Sequence, residues 1–294
     1  MTKIKLNVGA SPIWDKEGWH RLDHKLKSNQ GYSIAGDAEN IALEDESASV
    51  VFSSHMIEHI PHFKLEKIIL EFNRVLDKGG VVRLLSPDLK KIAKAYANDD
   101  HDFFKECLDE DENIRQDLGL GGMFMNFVVS PGQDTALFDR NLDKFIAGYA
   151  HLYLYDFDML KIILEHCGFT DVAQKAFCES EIPELEEPLH VDHLPSEWKN
   201  LNQRFYKENN LIHEYDAEKG GYNINFKMTG FDRDPLSSLI VEAKKQNHID
   251  MDNYVPMTDN PKNYNRYGNS LLRDKKFKLK CDMMSSLSKI IDSH

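Results

Sequence analysis

Two rhythms of apolar and polar positions organise the first hundred residues. Short apolar runs recur and stop abruptly: Lys3–Val8 ends at Gly9-Ala10-Ser11-Pro12, Gly18–His24 carries Asp23 at its tip, and Tyr32–Gly36 runs into Asp37-Ala38. A fourth run, Ser49–Ser53, breaks into Ser54-His55-Met56-Ile57-Glu58-His59. The second rhythm is helical: Leu65, Ile68, Ile69, Phe72, Val75 and Leu76 follow the i, i+3, i+4 repeat. Asp77-Lys78-Gly79-Gly80 then reads as a helix stop and turn, Val81–Asp88 as a fifth strand, and Leu89–Ala97 as the start of another helix. Near-continuous apolar strands alternating with amphipathic helices predict a parallel sheet covered on both faces.

Beyond residue 98 the alternation lapses. Asp99–Asp117 is acidic with helical character, and Leu118–Phe127 is glycine-rich, then bulky and apolar, before Ser130-Pro131-Gly132. An insertion after the fifth strand would lie over the carboxyl edge of the sheet, as a lid or acceptor pocket; packing of Phe124 and Phe127 into a core is the alternative. His151–Asp156 leads into a helix at Asp158–Cys167, capped by Asp156 or Asp158 and stopped by Gly168. Phe169–Glu179 reads as a sixth strand and Ser180–Asn210 as a surface excursion. Within the excursion, Glu184, Glu186, Glu187, His190, Asp192 and His193 match no standard metal spacing and read as a solvated loop. Residues 246–269 are poor in aliphatics and read as a linker or arm. Residues 270–292 carry a terminal helix pattern suited to packing or dimerisation. The organisation predicted is one domain over 1–245, with an insertion at 98–150 and an excursion at 180–230, followed by a linker and helix at 246–294.

Composition narrows the chemistry. A chain of 294 residues can bury a large core, and 36 basic against 49 acidic residues give a net charge of −13, which disfavours nucleic acid and anionic membranes. Cys107, Cys167, Cys178 and Cys281 form no C-x-x-C pair and read as thiols in a reducing compartment. Met1–Leu6 lacks the apolar core of a signal peptide, and no apolar run approaches the ~20 residues of a membrane span. The expectation is a cytoplasmic protein.

The strand ends carry the candidate chemistry. A glycine after a first strand permits positive φ and close backbone approach to a ligand, although Gly9 alone could be an ordinary turn glycine. The G-x-G-x-x-G dinucleotide fingerprint is absent. A carboxylate such as Asp23 can accept from both hydroxyls of a ribose; its alternative is a solvated loop acid. Asp37 beside the small Ala38 could accept from an exocyclic amine and leave room for a purine. The series strand–Gly, strand–Asp, strand–Asp, strand–polar is the order a nucleoside needs. His55–His59 also spells H-x-x-E-H, an inverted zinc-peptidase string. Such a site needs both histidines on one continuous helix, and Pro61 makes that awkward, so Glu58 and His59 read as local structure.

The segments LNVGAS, GWHRLD, GDA, VVFSSHMIEHIP, FNRVLDKGGVVRLLSPDL and HLYLYDFDMLKIILEHCGF resemble class I S-adenosylmethionine-dependent methyltransferases, in particular a bacterial, methyltransferase type 11-like subgroup. The resemblance spans roughly residues 3–97 and 151–180, and more faintly 231–245, where Asp234–Lys244 is similar to the family's last, antiparallel strand. It implies a doubly wound, seven-stranded Rossmann-like α/β sheet with S-adenosylmethionine as cofactor. The cofactor site it implies consists of Asn7, Gly9, Ala10, Ser11, Asp23, His24, Asp37, Ala38, Ser53, Ser54 and His55. The resemblance also puts His151 and Tyr155, from a His-x-x-x-Tyr-Asp segment, at the active-site mouth; His151 and the strand-end His55 are the candidate proton acceptors, Asn126 and Tyr155 the candidate acceptor contacts, and no metal is expected. One departure stands out: the family's Gly-Cys-Gly is Gly9-Ala10-Ser11 here, which puts a Cβ, and at Ser11 a hydroxyl, where backbone normally approaches the ligand.

The leading expectation is methyl transfer to a small-molecule or sugar-type acceptor. A module that binds the nucleoside without turnover, and a metallohydrolase working through His55 and His59, are the alternatives. The partners expected are a small-molecule acceptor and, through the carboxyl-terminal arm, a second copy of the chain.

Overall fold

The computed structural model describes residues 3–10, 14, 16–29, 31–107, 118–129, 150–177, 179–186, 212–216, 221–224 and 237–257. Among the described residues, nine strands alternate with five α-helices. The strands are β1 (Ile4–Val8), β2 (His20–Asp23), β3 (Ser33–Ala35), β4 (Ala48–Ser54), β5 (Leu76–Pro87), β6 (Phe169–Gln174), β7 (Ile212–Asp216), β8 (Gly221–Ile224) and β9 (Ser238–Lys245). The helices are α1 (His62–Val75), α2 (Leu89–Ala97), α3 (His101–Cys107), α4 (Gly119–Val129) and α5 (Phe157–His166). Seven strands form one sheet in the order β3-β2-β1-β4-β5-β9-β6, while β7 and β8 pair as a separate hairpin. Strands β1 to β5 pair in parallel, and β9 runs antiparallel to both β5 and β6. The expected doubly wound sheet with an antiparallel last strand is what forms.

Alternation along β4 explains how the sheet is covered. Ala48 and Val51 face α1 and α5, where Leu65, Ile68, Ile69 and Phe72 meet Leu160 and Leu164. Val50 and Phe52 face the other way, onto Trp19, Leu85, Leu185 and Ile240. Each fully buried aliphatic or aromatic side chain contributes about 1.5–3 kcal/mol. The second face is closed in part by a 3-10 turn at Pro183–Leu185, fastened where Lys5 pairs with Glu184. In the sheet interior, Arg83 and Glu242 form a buried ion pair at 2.7 Å. On α1, Arg74 donates to the carbonyls of Ile41 and Leu43 and to Glu71 and Asp45, holding the β3–β4 connection against the helix. Asn73 clamps the far end of α5, donating to the carbonyls of Cys167 (3.0 Å) and Asn247 (3.1 Å).

Two expected strand bounds change, and one of two open readings is decided. Asp77–Gly80 does not separate α1 from a strand beginning at Val81; β5 starts at Leu76, which pairs with Ala48, and the ladder then skips to Val50↔Val81. The glycine turn is absorbed as an irregularity in the strand, with Gly79 at φ 81° and Asp77 crowding Gly80. The glycine-rich stretch after Leu118 is helix α4, whose Met123 and Phe127 pack with Ile92, Ala95, Phe104 and Leu154, so the packing reading of Phe127 holds. The sixth strand ends at Gln174, earlier than Glu179.

The chain divides into two compact units, Met1–Asp250 and Met251–His294. The described part of the second, 251–257, is turn and irregular chain; the helix expected at 270–292 and the histidines of the 187–193 stretch lie outside the described residues.

Candidate functional site

The parallel strands deliver their carboxyl ends to one edge of the sheet, where open α/β proteins take their ligands. Register sets the first pair of groups side by side: Val8 pairs with Leu22, so Gly9 and Asp23 follow at neighbouring strand tips. The Gly9 and Ala10 amides both donate to the Leu22 carbonyl, at 2.9 and 3.4 Å. Gly9 has φ 76°, and the space beside it holds Met56, the residue after His55: a Cβ on Gly9 would lie 2.5 Å from Met56 Cγ. Asn7 and Asp23 are buried, and the Lys25 amide donates to Asp23 Oδ1 at 2.8 Å, fixing the carboxylate in a local turn. His24 points outward, and Ser11 lies outside the described residues.

At the next tip, Asp37 is exposed and its Oδ1 accepts from the Glu39 amide (3.0 Å), while Ala38 packs into the main core beside Ile34 and Ile41. The ends of β4 and β5 are different in kind. Ser53, Ser54 and Ser86 bury their hydroxyl oxygens with no hydrogen-bond partner among the described residues. Buried hydroxyls are normally satisfied, so three at adjacent strand ends mark a place built for a polar ligand. Asp88 is spent on structure: it caps α2 by accepting from the Lys90 and Lys91 amides.

His55 turns the chain out of β4 at φ 48°, with its amide donating to the Leu85 carbonyl. Its ring spans two groups: Nδ1 lies 3.1 Å from Glu58 Oε1 and Nε2 lies 2.9 Å from Ser238 Oγ at the start of β9. Glu58 sits in a 3-10 turn, Ile57–His59, and is fully buried. Burial opposes its ionisation, yet His55, and beyond it His59 and His151, hold the carboxyl down at about 2.

A second pair of imidazoles closes on the same carboxylate from the segment that precedes α5. The Glu58 carbonyl accepts the Leu152 and Tyr153 amides, which docks this segment on the 3-10 turn. His59 Nδ1 lies 2.9 Å from the Ala150 carbonyl, His151 Nδ1 is bonded to the Phe127 carbonyl, and the two rings meet edge-on at 4.9 Å. One ligand atom from each of Glu58, His59 and His151 falls within 4.8 Å of the others. Burial pushes the His151 imidazole below its ordinary value, with Glu58 pulling the other way. Asn126 is buried on α4 one residue before Phe127. Tyr155 is wholly buried in the core, its hydroxyl 3.3 Å from His62 Nδ1.

Thus Gly9, Ala10 and Asp23 share one corner, Ser53, Ser54 and His55 the next, and His151 joins through Glu58, while His24 and Asp37 lie on the surface and Tyr155 in the core. Sequence reasoning passed over Met56, Ser86, Ser238 and the burial of Glu58. The segment LLSPDL held a signal for Ser86, since a polar residue ending an apolar strand faces the ligand edge; nothing in the chain's pattern brings Ser238 to His55.

This architecture defines a Rossmann-like α/β protein with its ligand edge at the strand carboxyl ends. Residues 16–84 match the methyltransferase domain family, a stretch that opens ahead of β2 and closes within β5. That match covers β2, β3, β4 and the start of β5 in the sheet ordered β3-β2-β1-β4-β5-β9-β6. Solved structures with similar folds include a SAM-dependent methyltransferase from Archaeoglobus fulgidus (15% identity, 83% of this chain and 86% of that one, TM-score 0.36). Others are phosphoethanolamine N-methyltransferase 2 from Haemonchus contortus (13%, 84% and 50%, 0.35) and the YcgJ protein from Bacillus subtilis (12%, 83% and 92%, 0.36). No curated protein sequence matches the chain. Among the described residues no helix is long and apolar enough to cross a membrane.

Proposed function

We propose that this protein is an S-adenosylmethionine-dependent methyltransferase acting on a small-molecule or sugar-type acceptor, with its cofactor held along the tips of β1, β2 and β4. The observation that carries this reading is the row of three buried hydroxyls at Ser53, Ser54 and Ser86 with no hydrogen-bond partner among the described residues, next to a glycine turn and a buried carboxylate. When bound, the cofactor supplies a sulfonium methyl group that an aligned nucleophile can displace. Asp23, fixed by the Lys25 amide, would accept from the ribose hydroxyls, and the turn at Gly9-Ala10 would bring backbone to the amino-acid portion. Asp37 would reach the adenine only from its exposed tip.

Displacement at a sulfonium depends first on position, and a proton acceptor adds to it when the acceptor is a hydroxyl or amine. His55 is the group best arranged for that role: Glu58 steadies Nδ1, and Nε2 is directed at a hydroxyl, Ser238 Oγ. The net charge of −13 argues against a nucleic-acid acceptor. The departure Gly9-Ala10-Ser11 favours a second reading, in which the nucleoside binds without turnover.

Calorimetry with S-adenosylmethionine tests the site: wild type binds, and Asp23→Ala weakens binding at least about tenfold, the loss of one charge-assisted bond. Equal affinities would remove Asp23 from the site. Product formation across a panel of small hydroxyl and amine acceptors separates the two readings, because any methylated product excludes the inert one.

A further inference from the structure

Beyond steadying His55, Glu58 faces two further imidazoles, His59 and His151. A carboxylate with no exposed surface normally collects strong, well-directed hydrogen bonds. Glu58 has His55 Nδ1 within ion-pairing distance at 3.1 Å, yet neither carboxylate oxygen receives a hydrogen bond of good geometry among the described residues. The two further imidazoles facing it make the problem sharper. Each has its Nδ1 turned to a backbone carbonyl, Ala150 for His59 and Phe127 for His151. A nitrogen that donates to a carbonyl carries the proton, which leaves Nε2 of a neutral ring with its lone pair. One ligand atom from each ring and one carboxylate oxygen lie within 4.8 Å of one another, with Glu58 itself buried. Electron-rich atoms so placed repel unless a cation lies between them.

We infer that Glu58, His59 and His151 bind one divalent transition-metal ion, zinc(II) or a close relative, independently of the methyl-transfer reading. Two imidazoles and one carboxylate suit such ions, at about 2.0–2.2 Å per ligand, with at least one position left for water or another ligand. Donors around one ion at that radius lie about 3–4 Å apart, so the trio needs only a small closure. The backbone-anchored Nδ1 atoms are the outer-shell partners that fix ring orientation at metal-bound histidines. The elements holding the ligands are rigidly joined, since the Leu152 and Tyr153 amides bond to the carbonyl of Glu58 itself. His59 and His151 are each part-exposed, which gives an ion a way in. The ligand set differs from the H-x-x-E-H string: His55 is turned to Ser238, and His151, from the far side of the insertion, takes its place.

The test uses the full-length chain, stripped with a chelator, dialysed, and titrated separately with zinc(II) and cobalt(II). The expected result is close to one tightly held equivalent, a visible cobalt absorption band, and a thermal midpoint that rises with metal. His151→Ala and the isosteric Glu58→Gln, each verified as folded by circular dichroism, should bind at least about tenfold more weakly, since even loss of an outer-shell partner costs that much. His101→Ala, an exposed histidine on α3, should bind as wild type does. The inference is overturned if the stripped protein retains neither ion after gel filtration, or if His151→Ala and Glu58→Gln hold as much metal as wild type. In the first case protons, not a metal, neutralise the cluster; in the second the ion sits elsewhere.

Discussion

Met56 occupies the place that a side chain on Gly9 would need, with Met56 Cγ 2.5 Å and Cβ 2.9 Å from where a Cβ would stand. The first glycine turn and the segment leaving β4 are therefore fitted to each other, and the two corners of the ligand edge are one packing unit.

Gly9→Ala should be destabilised by about 2 kcal/mol or more, because an L-residue at φ 76° costs roughly 1–2 kcal/mol and the clash with Met56 adds to it. Urea denaturation of Gly9→Ala and of the double variant Gly9→Ala/Met56→Ala distinguishes the two contributions. Shortening Met56 should recover the steric part and leave the backbone part. A double variant no better than the single one would show that Met56 yields freely.

Arg83 and Glu242 face each other across β5 and β9, with 0% and 6% of their side chains exposed. Lys175, at 4.0 Å, and the Ser180 hydroxyl complete the shell of Glu242. Arg83→Met strands a buried carboxylate and should cost about 3–5 kcal/mol, whereas Arg83→Met/Glu242→Leu should return most of it. A double-mutant cycle on denaturation midpoints, completed with Glu242→Leu alone, measures the difference; a double-variant loss equal to the sum of the two single losses would mean the pair contributes no coupling.

Glu39 binds Lys64 and Lys67 of α1 and so fastens the β3–β4 connection. Burial alone would raise its carboxyl, but the two ammonium groups hold it below the ordinary value of 4.5. The unfolded chain therefore takes up this proton first, and the stabilisation present above pH 4.5 is lost as the pH falls through the lower folded value. In Glu39→Gln the acid limb of the stability profile should be shallower, by less than about 1 kcal/mol for so solvent-screened a pair. Urea midpoints measured from pH 6 to pH 3 check the slope; parallel profiles would exclude the linkage.

Much of the sheet was readable because apolar runs and helical repeats are local signals. Leu65 through Val75 declared α1, and the tips at Gly9, Asp23 and Ser53 declared a ligand edge. Where the reading went astray, a non-local force had intervened: pairing with Ala48 draws Leu76 and the following glycines into β5, and contact with Phe104 and Leu154 makes a helix of a glycine-rich stretch. The environment of Glu58 was invisible for the same reason. Its partners His151 and Ser238 are brought in by a docked segment and by β9, whose placement no spacing encodes.

The clamp formed by Asn73 bears on where this protein can be cut. Its side-chain amide reaches Asn247, and a Cβ at Gly168 would meet Ile249 at 2.8 Å, so the residues just past β9 cover the end of α5. A fragment ending at Lys245, where the strand pattern stops, would expose the Gly168 turn and leave Asn73 short of an acceptor. One ending at Asp250 keeps the seal. For anyone preparing the sheet domain alone, five residues that look like linker are the difference between an intact edge and a frayed one.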